Sequence, residues 1–436
     1  MLRRVWHAAA MVLLTCCMVA PVSATKAQQQ GSEEEKRYGI SFSGFVKSDF
    51  FVDTRHTFSP REGHFMLWPL PPKLDVNGVD LHDATSFNFL PIQSQLSGRI
   101  TGPDAFGART SGLIEADFFG TTNATTNLLR MRHAFIRLNW SRAELLTGQF
   151  WHPLFNTDCF PNTISFNHGA PINPFSRAPM ARFGFTAGMA TARVAAVSQR
   201  DFVSFGPAGG SSDYLRNATM PELYGELFFT IPLDENKSRT LRTGVLMGSH
   251  TLVPRQESTV NGKTYQVNEE VQSISARAFA TLTTPPITLK VTGIYGENLS
   301  NVLGITGFAV VDVVDTITGL QQYAPTASHI LWAELHTNGT RWQAGVFAGI
   351  NRNRGTTKPM QNPDAPVYGL TNQITQVLRV APRVIFISGA TRFALEVEHT
   401  ITRFAAEGSN RDAHGLPDQT NNVANTRILL AAYYVF

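Results

Sequence analysis

Between residues 38 and 436 the sequence falls into about sixteen segments of alternating apolar and polar residues, and the connectors between them are sorted by length. Those at 54–86, 151–180, 201–220, 251–270, 299–329, 351–372 and 405–425 are long. Those at 102–107, 141–142, 187–189, 233–238, 284–286, 338–340 and 389–390 are short, and only 123–127 is short in a long slot. Alternation with period two is the strand signal. A soluble sandwich has no reason to sort its loops in this way. A barrel crossing an outer membrane does, with short periplasmic turns, long outer loops and an even strand count. The expected fold is therefore all-β: a transmembrane antiparallel β-barrel of about sixteen strands spanning residues 38–436. The last strand agrees, because Ile428, Leu430, Ala432, Tyr434 and Phe436 share one face and the sequence ends on the aromatic. Lipid contact along one face and an interfacial ring at its end demand that pattern.

The first residues read as an export signal. Arg3 and Arg4 precede the apolar stretch 8–20, and Val22, Ser23 and Ala24 supply small residues for cleavage, which sets the signal at 1–24. Residues 25–37 are polar and aperiodic and are expected to form a flexible periplasmic lead-in. Cys16 and Cys17 leave with the signal. Cys159 then stands alone in the mature chain, so no disulfide framework is expected. No later apolar run approaches the ~20 residues of a spanning helix. A net charge of +4 is too mild to indicate a nucleic-acid partner. His168, His250 and His336 lack paired metal spacing, so neither a metal nor a cofactor is expected.

The connector after Trp151 is the most informative. It greatly exceeds the ~15 residues at which structureless loops become uncommon, and it carries both turn residues (Asp158, Pro161, Asn162, His168) and packing residues (Phe155, Phe160, Phe166, Phe175). This third long loop is expected to fold into the lumen, with Trp151, Asp158 and His168 marking the constriction. Placing Arg or Lys against lipid costs roughly 2–4 kcal/mol at the bilayer midplane, so strand charges should face inward. Lys47, Arg99, Arg109, Arg130, Arg132, Arg182 and Arg193 then line the lumen, as do Arg242, Arg277 and Arg383. Arg130, Arg132 and Arg182, with Arg177 on the loop, form the expected anion ladder. The competing reading is that these arginines brace the wall against Glu115, Asp117, Glu222 and Glu226. Arg137 and Phe135 fall on the lipid face by the same alternation, and His133 beside them reads as structural.

The runs GLIEADFFG, LRMRHAFI and LLTGQFWHPLF, followed by a long loop and RFGF, resemble the wall motifs of DcaP-like outer-membrane porins and, more distantly, of phosphate-selective porins. The resemblance implies a trimeric, mostly sixteen-stranded channel with its third loop in the pore, taking up small anions such as dicarboxylates. It makes Arg130 and Arg132 pore-lining and places Trp151 at the start of the constriction loop. The short lead-in departs from members with a helical N-terminal segment. The leading expectation is a passive, anion-preferring diffusion porin in the outer membrane of a Gram-negative bacterium, a homotrimer in contact with lipid and lipopolysaccharide. Two other classes remain. A barrel enzyme needs a nucleophile motif such as G-x-S-x-G, which is absent. A plugged adhesive or structural barrel could use the loops 54–86 and 299–329. No plug domain precedes the first strand, which argues against an energised transporter.

Overall fold

The computed structural model describes residues 38–436, so the signal 1–24 and the lead-in 25–37 lie outside the described residues. Sixteen antiparallel strands close into one barrel. In chain order the first eight are β1 (Gly39–Asp53), β2 (Ser86–Leu90 and Gln95–Thr101), β3 (Arg109–Asp117), β4 (Arg130–Asn139), β5 (Ala143–Trp151), β6 (Arg177–Ala187), β7 (Ala190–Val197) and β8 (Glu222–Pro232). The second eight are β9 (Thr240–Leu252), β10 (Val271–Thr283), β11 (Ile287–Glu297), β12 (Leu320–Thr337), β13 (Trp342–Thr356), β14 (Ile374–Ser388), β15 (Thr391–Ala405) and β16 (Thr420–Val435). Closure comes from β1, which pairs with β16 from Phe45↔Val435 to Asp53↔Arg427 and with β2 from Gly39↔Thr101 to Phe45↔Gln95. Closing the sheet satisfies every strand edge, the condition for crossing hydrocarbon with strands.

Alternation sorts the side chains as expected over most of the wall. On β16, Ile428, Leu430, Tyr434 and Phe436 are exposed outward, while Arg427 and Leu429 are buried inside. Three departures have physical causes. Strand β2 is split at residues 91–94, where Pro91 cannot donate to the ladder and Ser94 Oγ takes the Lys47 N–H at 3.0 Å instead. Strand β12 starts at Leu320, ten residues before the predicted start, because it pairs beyond the barrel with the loop strand Phe308–Asp315. Val310 and Val311 of that strand are both buried, so it lacks the alternation that would have revealed it.

The third departure is a β-bulge in β4. Glu115 faces His133 but Ala116 faces Met131, so one extra residue enters the strand at Arg132. Beyond it the faces exchange. Arg130 and Arg132 point inward before the bulge, and His133, Phe135 and Arg137 do so after it. This corrects the assignment of Arg137, Phe135 and His133 to the lipid face. Arg137 Nε lies 3.3 Å from Glu144, and Phe135 packs edge-on against Phe150. The Gln149 carboxamide donates to the Met131 and Arg132 carbonyls at 3.3 and 2.9 Å, satisfying acceptors that the bulge takes out of the ladder.

The main apolar core lies inside the barrel. Phe65, Leu67 and Trp68 from the first loop, Phe155, Phe166 and Phe175 from the third, and Val302 and Ile305 from the sixth are buried together.

Candidate functional site: the lumen constriction

The third loop leaves β5 after Trp151 and returns at Arg177, its neck closed by the His152 N–H on the Ser176 carbonyl at 3.0 Å. A short 3-10 turn, Pro153–Phe155, starts it, with His152 accepting the Leu154 N–H. From there it runs around the inner wall, held by wall side chains. Arg277 of β10 donates to the Leu154 and Cys159 carbonyls. Lys290 of β11 donates to Phe160 O at 2.9 Å, and Glu334 of β12 accepts the Asn162 N–H at 2.7 Å. Glu396 of β15 accepts the Ile164 and Ser165 N–H groups at 2.8 and 2.9 Å, and Lys47 of β1 donates to Ile164 O at 2.9 Å. Arg379 of β14 closes the circuit on Ala170 O at 2.6 Å. A loop without ladder partners needs such acceptors and donors, because buried backbone groups are costly when unpaired.

His168 stands at the centre of the loop. Its ring stacks on Phe175 at 5.9 Å and meets Phe155 and Phe160 edge-on, each at 6.0 Å. Burial pushes its pKa down to about 3; the Pro161 carbonyl 3.3 Å from Nδ1 opposes this, and Arg132, Lys47 and Arg177 add to it. The imidazole is neutral at physiological pH.

The predicted arginines separate into three sets. Beside the neck of the third loop Arg130 makes a two-point contact with Asp117 at 2.7 and 3.1 Å. Arg132 bridges Glu115 and Asp117, both at 2.8 Å. Arg177, which is the first residue of β6 and not a loop residue, pairs with Asp201 at 2.7 Å and lies 4.4 Å over the Trp151 ring. Arg61 from the first loop joins them without a carboxylate within ion-pair distance among the described residues. Burial and then Arg130 pull its pKa down to about 10. Three consecutive left-handed residues, Arg61 (φ 64°), Glu62 (φ 57°) and Gly63 (φ 83°), turn the first loop into this position. Four guanidinium groups thus face three carboxylates.

The second set lies on the periplasmic side of the loop. Glu144 joins Arg137 and Arg182, the latter at 2.7 Å. Asp158 of the loop meets Arg193 at 2.7 Å and Arg242, and Arg193 also meets Glu226 at 3.0 Å. The third set, Arg99 and Arg109, is exposed near the periplasmic mouth, outside the ion pairs found among the described residues. Lys47 differs from all of these. It is fully buried between Asp49 (3.1 Å), Gln93 and Ile164 O, so it ties the loop to the wall.

Two cavities are lined by members of these sets. One, of about 190 Å³, is lined by Arg61, Arg130, Phe65, Phe119, Phe166 and Phe202. The other, of about 390 Å³, opens among Trp151, Asn156, Arg182, Arg193 and Glu226. Arg132 lies 6.0 Å from the Trp151 ring and 5.8 Å from the Phe166 ring, between residues of the two cavities. Arg61 and Asp201 carried no signal in the sequence, since both sit in aperiodic loops. Among the described residues no group of three His, Cys, Asp or Glu side chains is placed to hold a metal.

A closed sixteen-stranded barrel, with an apolar exterior and a long third loop folded across a charged lumen, is the architecture of outer-membrane porins. The solved structure of the outer membrane channel DcaP of Acinetobacter baumannii superposes with a TM-score of 0.67 at 15% identity, covering 92% of this chain and 98% of that one. OmpT of Vibrio cholerae, an outer membrane protein, gives 0.50 at 9% identity over 92% and 99%, and a trimer form of OmpT gives 0.50 at 8% over 92% and 100%. At these identities the likeness is one of fold. No protein-family description and no curated protein sequence matches the chain.

Proposed function

We propose that this outer-membrane barrel is a passive diffusion porin of a Gram-negative bacterium that favours small anions such as carboxylates or phosphate-like solutes. The observation that carries the reading is the excess of guanidinium groups over carboxylates in the buried cluster beside the neck of the third loop. Arg61, Arg130, Arg132 and Arg177 face Glu115, Asp117 and Asp201 there, with Arg182 and Arg193 continuing the basic wall into the larger cavity. Arginine forks suit carboxylate and phosphate oxygens, and a basic constriction lowers the barrier to anions without any chemistry. Sites of this kind need positioning and field only, which fits a non-enzymatic role. Assembly as a homotrimer is part of the proposal and is supported by the trimer form of the OmpT fold relative.

Conductance in a planar bilayer under a salt gradient tests it. Stable channels whose reversal potential favours anions support the reading, and cation preference overturns the anion assignment. A second reading, a plugged barrel serving as a structural or adhesive surface protein, is favoured by one observation. Segments of the first, third and sixth loops pack into a single apolar core inside the lumen. Folded protein that never conducts would select it.

A further inference from the structure

The outer wall carries a basic row that the transport reading does not use. Across β11 to β16, cross-strand neighbours place Tyr295, His329, Arg352, Gln376, Arg403 and Asn422 at one level. These side chains are on the outer face, in line with the exposed Trp342, Val346, Val380, Leu395 and Ile428. Arg352 donates to the Gln376 side-chain Oε1 at 3.3 and 3.1 Å, and Arg403 to Asn422 Oδ1 at 3.4 Å. Among the described residues neither arginine has a carboxylate within ion-pair distance, and the outer faces of β13 to β16 carry no acidic side chain at all. Arg354, two residues beyond Arg352, is also exposed.

The level of the row gives it meaning. Trp342 and Phe386 are a packed outward pair with ring centroids 4.7 Å apart at the periplasmic end, where an interfacial aromatic ring belongs. Ten residues separate Trp342 from Arg352 along β13. At about 3.3 Å per residue and a tilt of about 40°, that is a height of about 25 Å, the height of the apolar band of an outer-membrane barrel. Between the two levels the outward residues of β13 are Ala344, Val346, Ala348 and Ile350. The arginines therefore stand where the hydrocarbon ends and the outer leaflet's head groups begin, and Tyr295 supplies an aromatic at that boundary.

We infer that Arg352 and Arg403, extended by Arg354, form a binding site on the outer wall for the phosphate groups of a phosphorylated glycolipid, the lipopolysaccharide of the outer leaflet. The inference rests on the outer-membrane placement proposed above, with long loops outward, and does not depend on what passes through the lumen. An unpaired guanidinium at a head-group boundary attracts phosphate by charge and by its paired N–H donors. The His329 and Gln376 side chains beside it offer further hydrogen bonds to sugar hydroxyls, while acyl chains lie along the apolar belt below.

The test is native mass spectrometry of the full barrel in detergent, titrated with bis-phosphorylated lipid A, with the same lipid dephosphorylated, and with phosphatidylglycerol. Wild type should retain bis-phosphorylated lipid A in preference to both others. Arg352→Gln with Arg354→Gln and Arg403→Gln should weaken retention by roughly a hundredfold, taking a near-equal share from each basic group. Arg239→Gln, in an exposed periplasmic turn, should leave it unchanged, and heat-modifiable migration confirms that each variant is folded. Equal retention by the triple variant, or equal binding of the dephosphorylated lipid or of phosphatidylglycerol, overturns the site. Retention of lipid A by a barrel that never conducts would remove the porin reading and leave this one standing.

Discussion

Arg193 Nη1 lies 2.7 Å from the Asp158 carboxylate, joining strand β7 to the third loop inside the barrel. The same carboxylate receives Arg242 of β9, so one loop acid neutralises two wall cations.

Asp158→Asn removes one negative charge, leaving Arg242 without its carboxylate and Arg193 with Glu226 alone. Anion preference should rise, with the anion-to-cation permeability ratio up by roughly twofold or more, as expected for an added unit of field in a narrow, partly desolvated passage. Reversal potentials in a tenfold salt gradient read it directly. An unchanged ratio would mean that the permeating ions do not pass this pair.

Arg132 joins Glu115 and Asp117, and its side chain is nearly buried beside a fully buried Asp117. Arg132→Ala leaves those carboxylates short of a partner in the interior, which costs about 3–5 kcal/mol where a buried pair is broken. Thermal unfolding should therefore move to lower temperature, and anion preference should fall. Adding Glu115→Gln should recover part of the stability without restoring selectivity, because only one unpaired acid is removed and the cation stays lost. A single variant that kept both stability and selectivity would show that this arginine is neither brace nor selectivity element.

The pH response of the loop follows from His168. Its folded pKa, about 3, lies below the ordinary 6.5, with burial as the main cause. Neutral His168 therefore contributes stability that is complete above pH 6.5 and is lost as pH falls towards 3, at roughly 1.4 kcal/mol per pH unit between the two values. His168→Phe keeps an aromatic ring among Phe155, Phe160 and Phe175 and removes the titration. Between pH 7 and pH 4 the unfolding temperature of wild type should fall more steeply than that of the variant. Parallel slopes would place the acid sensitivity elsewhere.

Much of this arrangement was legible in the sequence, and the limits are instructive. Strand number, the sorting of loops and the inward third loop all follow from period and length, because lipid on one side and water on the other enforce alternation along every strand. The faces of Arg130 and Arg132 came out correctly for that reason. The same rule failed for Phe135 and Arg137, since one bulge residue reverses parity and Gln149, which satisfies the freed carbonyls, lies on the next strand. Nothing local announces such a pair. Residues 65–68 and 299–305 gave no sign of entering the lumen, because buried loop segments lack periodicity. Partnerships such as Glu396 with Ile164 depend on closure of the whole barrel, which brings distant strands to one loop.

Glu396 grips that loop with both oxygens, each accepting one backbone N–H, from Ile164 and from Ser165. A carboxylate spends all its capacity as acceptor, so the side chain fits two adjacent amides without needing a donor of its own. Glu396→Ala leaves both amides buried and unpaired, at roughly 1–3 kcal/mol each, and the bend at 164–165 is then tied to the wall through the Lys47 bond to the Ile164 carbonyl. Glu396→Gln retains one acceptor oxygen and turns an NH₂ group toward the other amide, so its effect should be intermediate. Open-channel current should grow noisier and larger in the order wild type, Glu396→Gln, Glu396→Ala, with faster protease cleavage within residues 160–167 in the same order. Identical traces from all three would mean that the aromatic packing around His168 holds the loop in place without the carboxylate.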